Sequence, residues 1–260
     1  MRFIDVEGVR LAFRDEGKGR PVVLLHAFPL SSASFERQVA ALHSKHRFII
    51  PDHRGFGASA PGDASLEMSR IARDVVAILD ALEIDSAVVA GVSMGGYAAM
   101  ALLREDAGRV AGLVLAGTQS GADDEAARAR REQSAHQVLG HGLDVIVETM
   151  LPRLIAAAPH SALGHEVERM IREATPQAVA AGQRGMAVRL DSREVLARYS
   201  GPALVLVGEA DGITPVEKAR ELAGLIAGAR LEVIPGAGHL VNQEAPAAFN
   251  AALDRFLQAL

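Results

Sequence analysis

Residues 86–103 read SAVVAGVSMGGYAAMALL. The opening run Ser86-Ala87-Val88-Val89-Ala90 has the continuous apolar character of a strand buried on both faces. Tyr97 to Leu103 has the pattern of an amphipathic helix. Between them, Gly91-Val92-Ser93-Met94-Gly95 is a G-x-S-x-G stretch at a strand-to-helix turn, a context that lifts a serine hydroxyl above the end of a sheet. Small residues are needed on both sides because the turn brings the backbone close to its neighbours and holds the serine in a strained conformation. The serine also stands at a helix N-terminus, where the dipole favours developing negative charge. A glycine-rich turn can hold a serine by chance. The strand before and the helix after make Ser93 a candidate nucleophile.

Further short runs rich in Val, Ile and Leu lie on either side of this stretch: PVVLLHA (21–27), RFIIPD (47–52), VAGLVLAG (110–117), PALVLVGEAD (202–211) and RLEVIPGAG (230–238). Helical patterns separate them. From Leu66 to Leu82 the apolar stripe is Ile71, Val75, Ile78, Leu79 and Leu82, and Pro246–Leu260 repeats the pattern with Phe249, Leu253, Phe256, Leu257 and Leu260. Pro215 and Pro246 suit helix starts, where a missing N–H costs nothing. The opening FIDVEGVRLAF reads as a hairpin turning at Glu7-Gly8, which gives an antiparallel edge. Strands alternating with helices predict an α/β fold with a mostly parallel, doubly wound sheet.

One interval breaks the rhythm. From about Ser120 to Ser200 no buried-strand run appears, only helical patterns cut by Gly140, Gly142, Pro152, Pro159, Gly164 and Pro176. Some eighty residues cannot form a loop. They predict three or four short helices inserted as an all-helical cap over one end of the sheet. The expected organisation is a core of residues 1–119 and 201–260 carrying a cap at 120–200.

A serine hydroxyl needs a base, and the base needs an orienting acid. His239, in Pro235-Gly236-Ala237-Gly238-His239, follows a buried strand and can project from a loop at the sheet's end. Asp211 leaves the strand Val205–Gly208 directly into a turn closed by Pro215; Glu209 is its nearest competitor, and Asp123 and Asp124 are more distant ones. A tetrahedral oxyanion needs two N–H donors. The Met94 amide is one. The loop His26-Ala27-Phe28-Pro29 after VVLL supplies the other, from Phe28. Phe28, Met94, Ile213 and Leu240 flank these parts and are expected to line an apolar pocket with few charges. His43, His46, His136, His141, His160 and His165 read as surface residues. The pairs 136/141 and 160/165 are spaced i, i+5 rather than the i, i+4 of two metal ligands on one helix face, so no metal or other cofactor is expected.

The chain has 260 residues, 49 % hydrophobic and 23 % charged, which supports a substantial core and argues against disorder. A net charge of −5 and a basic complement almost wholly arginine (the lysines are Lys18, Lys45 and Lys218) give no footprint for nucleic acid or an anionic membrane. There is no cysteine, so disulfides, thiolate nucleophiles and Cys-ligated metals are excluded. With no apolar signal core at the start and no run long enough to span a bilayer, a cytoplasmic location is the default expectation. Gly55-Phe56-Gly57-Ala58-Ser59-Ala60 matches G-x-G-x-x-A, yet Pro61-Gly62 forbids the helix that a dinucleotide's pyrophosphate needs. It reads as a structural loop.

Together these motifs resemble the α/β-hydrolase family over the whole chain. HAFP is similar to its H-G-x-P oxyanion loop, with Ala27 where glycine is usual. Pro51-Asp52-His53-Arg54-Gly55-Phe56-Gly57-Ala58-Ser59 is similar to its D-x-R-G-x-G-x-S loop. GVSMGG resembles the nucleophile elbow, GEADGITP the acid loop and GAGHLVNQEAPAAF the histidine loop. The resemblance implies a Ser93–His239–Asp211 triad, an oxyanion hole from the Phe28 and Met94 amides, and hydrolysis of small esters or lactones. The layout is also similar to cofactor-free haloperoxidases (perhydrolases) and C–C bond hydrolases. The former tend to carry a tryptophan beside the oxyanion hole, and this chain has none. A slow-turnover, receptor-like member of the same fold is the non-enzymatic alternative.

Overall fold

The eight strands are β1 (Arg2–Val6), β2 (Val9–Gly17), β3 (Arg20–Leu25), β4 (His46–Pro51), β5 (Ala87–Val92), β6 (Val110–Ala116), β7 (Ala203–Gly208) and β8 (Arg230–Ile234). In the computed structural model, which describes residues 1–260, they form one sheet in the order β1-β2-β4-β3-β5-β6-β7-β8. β1–β2 and β2–β4 pair antiparallel, and every other pair is parallel. All residues of β5 and β7 are buried, as continuous apolar strands covered on both faces must be. The edge strands β1 and β8 are exposed or half-buried except at Val6 and Ile234. The predicted hairpin is present: Val6 pairs with Val9, and Glu7 (φ 53°) and Gly8 (φ 77°) both take left-handed conformations, as a two-residue hairpin turn requires.

The core helices are α1 (Glu36–Leu42), α2 (Met68–Ala81) and α3 (Met94–Glu105), followed after the insertion by α9 (Val216–Leu225), α10 (Val241–Glu244) and α11 (Pro246–Gln258). α2 buries Ile71, Val75, Ile78 and Leu79, four of the five stripe residues read from its sequence, with Leu82 just past its end. α11 starts on Pro246 and buries Phe249, Leu253, Phe256 and Leu257. α3 begins three residues earlier than the sequence pattern indicated, at Met94, so that Ser93 itself is its N-cap. No helix is long and apolar enough to cross a membrane.

Five helices, one more than expected, lie between β6 and β7: α4 (Glu125–His141), α5 (Asp144–Leu154), α6 (Ala162–Glu173), α7 (Pro176–Ala187) and α8 (Arg193–Arg198). The side chains of Asp124, Ser161 and Thr175 cap three of them by accepting from Ala127, Gly164 and Ala178 amides. α7 joins the insertion to the rest of the chain through small residues. The Leu66 amide donates to the Ala181 carbonyl at 2.9 Å, and a Cβ on Gly185 would stand 1.6 Å from the Leu66 carbonyl oxygen. Gly182 lies against the Phe28 ring, 2.9 Å from where its own Cβ would be.

His46 departs from the surface reading. It opens β4 in the sheet and is buried, with Nε2 2.9 Å from Asp254 Oδ1 on α11. Its neighbours in sequence, Lys45 and Arg47, are polar, and the partner that holds the ring, Asp254, comes from α11, 208 residues later.

Candidate active site

Ser93 sits between β5 and α3 with φ 55° and ψ −114°, a conformation that side-chain-bearing residues adopt at a cost. The surroundings enforce it. A Cβ on Gly91 would lie 2.2 Å from the Gly95 carbonyl oxygen, and one on Gly95 would lie 2.0 Å from that of Leu25. The Ser93 amide donates to the Ala116 carbonyl at 2.8 Å, and Thr118 Oγ1 donates to the Ser93 carbonyl at 3.0 Å. A backbone tie to β6 and the Thr118 side chain just beyond it thus hold the serine from one side while α3 holds it from the other.

The structure brings Ser93, His239 and Asp211 together. Ser93 Oγ is 2.8 Å from His239 Nε2, and His239 Nδ1 is 3.0 and 2.9 Å from the two Asp211 carboxylate oxygens. Asp211 is buried and His239 almost wholly so. Asp211 Oδ1 also accepts the Ile213 and Thr214 amides, both at 2.8 Å, so the carboxylate is aimed by its own turn. Because the ionised carboxylate only accepts, His239 Nδ1 carries the proton and Nε2 presents its lone pair to Ser93. Glu209 is exposed and accepts from the Gly236 amide at 3.2 Å. Asp123 pairs with Arg131 and Arg189, and Asp124 caps α4.

The two amides expected to form the oxyanion hole are free of internal partners. Met94 opens α3, so its N–H has no intrahelical acceptor. The Phe28 amide makes no hydrogen bond within the protein. Ala27, in place of the usual glycine, does not take a positive φ, so its side chain adds no backbone strain to this loop. Phe28, Met94 and Leu240 are buried. Ile213 lines a cleft of about 410 Å³ between α4, α5 and the core. That cleft is not apolar: Arg130, Arg131 and Arg153 also line it, and the expected apolar pocket with few charges is not what surrounds Ile213.

Two features depend on pairings that the sequence reading did not make. Glu244, on α10, accepts the Gly238 amide at 2.5 Å with one oxygen and the Ala156 and Ala157 amides at 2.7 and 2.9 Å with the other. It ties the histidine loop to the segment after α5. The second is a stack of two buried imidazoles, His26 and His53, beneath the Phe28 loop. The His26 signal was present, since it begins HAFP, but its partner lies 27 residues away.

The glycine-rich loop after β4 is structural in geometry. Asp52 accepts the Ser32 and Ala58 amides at 2.7 and 2.9 Å, and a Cβ on Gly57 would strike its carboxylate at 2.3 Å. Arg54 and Asp74 form a buried two-point ion pair at 2.8 and 2.7 Å. Burial pushes the Asp74 carboxyl above its ordinary value, with Arg54 acting against it.

A model of the alpha/beta hydrolase fold matches residues 20–246. A thermophilic esterase from Thermogutta terrifontis, solved with malate bound, is 36 % identical with a TM-score of 0.96, covering 100 % of this chain and 99 % of that one. The enol-lactonase of Burkholderia xenovorans LB400 is 28 % identical with a TM-score of 0.89, covering 99 % and 100 %. A non-heme haloperoxidase of Rhodococcus erythropolis is 27 % identical over 90 % of each chain. With an eight-stranded, mostly parallel sheet, flanking helices and a family match over most of its length, the chain belongs to the α/β-hydrolase fold family and is a hydrolase of that family.

Proposed function

We propose that this protein is a serine hydrolase of small carboxylic esters or lactones, acting through Ser93, His239 and Asp211 and an acyl-enzyme. The single observation that carries the reading is the 2.8 Å contact from Ser93 Oγ to His239 Nε2, with Nδ1 of the same ring on a buried carboxylate. His239 takes the hydroxyl proton as Oγ attacks the carbonyl carbon, and then returns it to the leaving alcohol. Asp211 holds the tautomer and stabilises the imidazolium. The Phe28 and Met94 amides face the oxyanion. Water, deprotonated by His239, attacks the acyl-enzyme, releases the acid and restores Ser93.

In this reading residues 1–119 and 201–260 are the catalytic core, and 120–200 form a cap that shapes the substrate cleft. Ile213 lies on the cleft's floor, and Phe28, Met94 and Leu240 form the buried wall behind the serine. The esterase and enol-lactonase among the structural neighbours support esters and lactones, and the absence of tryptophan weighs against peroxide chemistry.

The test is steady-state hydrolysis of a p-nitrophenyl ester series by the wild type beside Ser93→Ala. The expected result is repeated turnover by the wild type and a loss of about 10⁶-fold in kcat in the variant. A folded Ser93→Ala protein with the wild-type rate would overturn the assignment. A burst that stops after one equivalent would favour the receptor-like alternative.

A further inference from the structure

We infer that the cleft between α4, α5 and the core is a carboxylate-recognition site, and that the substrates are esters or lactones bearing a free carboxylate away from the scissile carbonyl. The inference rests on the proposed serine chemistry for which bond is cleaved, but the binding claim stands on the cleft itself.

The cleft meets the candidate triad through residues bonded to it. Its floor includes Ile213 and Thr214, whose amides hold Asp211. It includes Tyr97, whose amide donates to the Ser93 carbonyl at 3.2 Å, and Gln119, which follows β6 beside Thr118. Ser93 and His239 do not themselves line this space of about 410 Å³; its near end reaches the triad's neighbours Tyr97, Ile213 and Thr214, and its far end lies against α4 and α5.

At that far end the charge is one-sided. Arg130 and Arg131 come from α4 and Arg153 from the end of α5, against one acid, Asp123. Asp123 is already shared, bonding Arg131 on one oxygen and the buried Arg189 at 2.7 Å on the other. Arg131 also donates to Gln183 Oε1 at 3.1 Å. Arg130 and Arg153 have no carboxylate within ion-pair distance and no internal hydrogen bond, although most arginines of this chain are paired. The surplus positive charge is notable in a chain of net charge −5. Arg130 and Arg153 are both exposed, and two unpaired guanidiniums lining one cleft match a planar carboxylate, which each can bind through two parallel N–H donors. Asp123 disfavours a second anion deeper in, so one carboxylate at the arginine end and an uncharged carbonyl at the serine end is the pattern that fits.

Binding is tested apart from catalysis by calorimetry on Ser93→Ala, titrated with monomethyl glutarate, a monoanion at neutral pH, and with its neutral partner dimethyl glutarate. The expected result is an affinity about tenfold or more higher for the monoanion, diminishing with added salt. In Ser93→Ala carrying Arg130→Ala and Arg153→Ala the preference should vanish. Arg128→Ala, on α4 but outside the cleft lining, should leave it intact. Equal or undetectable binding of both probes, or a preference that survives loss of both arginines, overturns the inference. Hydrolysis of neutral p-nitrophenyl esters reports separately on Ser93. If that fails while charge-dependent binding persists, the catalytic reading falls and the cleft assignment stands.

Discussion

The imidazoles of His26 and His53 stack with centroids 3.9 Å apart at an interplanar angle of 29°, both buried beneath the Phe28 loop. His26 is a satisfied neutral ring: Nδ1–H donates to the Ala27 carbonyl at 3.0 Å, and Nε2 accepts the His53 amide at 3.1 Å. Burial lowers the His26 pKa, and lowers that of His53 well below the ordinary histidine value. His53 Nε2 has no partner, so a proton there would be a charge without compensation.

This pair makes stability sensitive to mild acid. Below the ordinary histidine pKa of 6.5 the unfolded chain takes up protons that the folded rings refuse, so stability falls as pH drops from about 7. The slope is about 1.4 kcal/mol per pH unit for each proton excluded. Denaturant melts between pH 7.5 and 5.5 should show this decline. His53→Phe, which keeps an aromatic ring on His26, should flatten it by about one proton's worth. An unchanged slope in that variant would assign the acid sensitivity elsewhere.

Removing the acid that faces His239 should separate Asp211 from Glu209. Asp211→Asn leaves the Ile213 and Thr214 amides an acceptor but lets His239 adopt the wrong tautomer, so kcat on a p-nitrophenyl ester should fall about 10⁴-fold. Glu209→Gln should stay within about threefold of the wild type, because the side chain is exposed and meets only the Gly236 amide. The reverse outcome would move the orienting role to Glu209.

Glu244 should matter to rate as well as stability. Glu244→Ala leaves the Gly238, Ala156 and Ala157 amides without their acceptor, costing about 1–2 kcal/mol for this half-buried group. Gly238 precedes His239, so kcat should fall with KM little changed. A variant that loses stability but keeps its full kcat would confine Glu244 to a structural role.

The elbow tolerates no side chain at its two glycines. Gly91→Ala and Gly95→Ala each place a Cβ at about van der Waals overlap with fixed backbone, 2.2 and 2.0 Å from carbonyl oxygens. Each should cost about 3 kcal/mol or more, seen as a lowered thermal midpoint or loss of soluble protein. Gly121→Ala, where nothing lies within 4 Å of the added carbon, is the matched control.

What the sequence determined by itself was local. Periodicity placed α2 and α11 within a few residues, and the strands β3 to β7 announced themselves as apolar runs because buried parallel strands have no polar face to show; β8, read the same way, is an edge strand with only Ile234 buried. Ser93, Asp211 and His239 were legible because each follows a strand, and strand ends in such a sheet converge on one edge. The tertiary structure decided what depends on partners distant in the chain. The bond from His46 to Asp254 on α11, the His26–His53 stack and the bridge from Glu244 to Ala156 each join segments that no window of sequence sets side by side. The same holds for the cleft. Arg130 and Arg153 are solvent-exposed helix residues, and only the packing of α4 and α5 places both on one cleft with Ile213 and Thr214. Local pattern specifies which face of an element is apolar. Only the packing of elements specifies which charges meet.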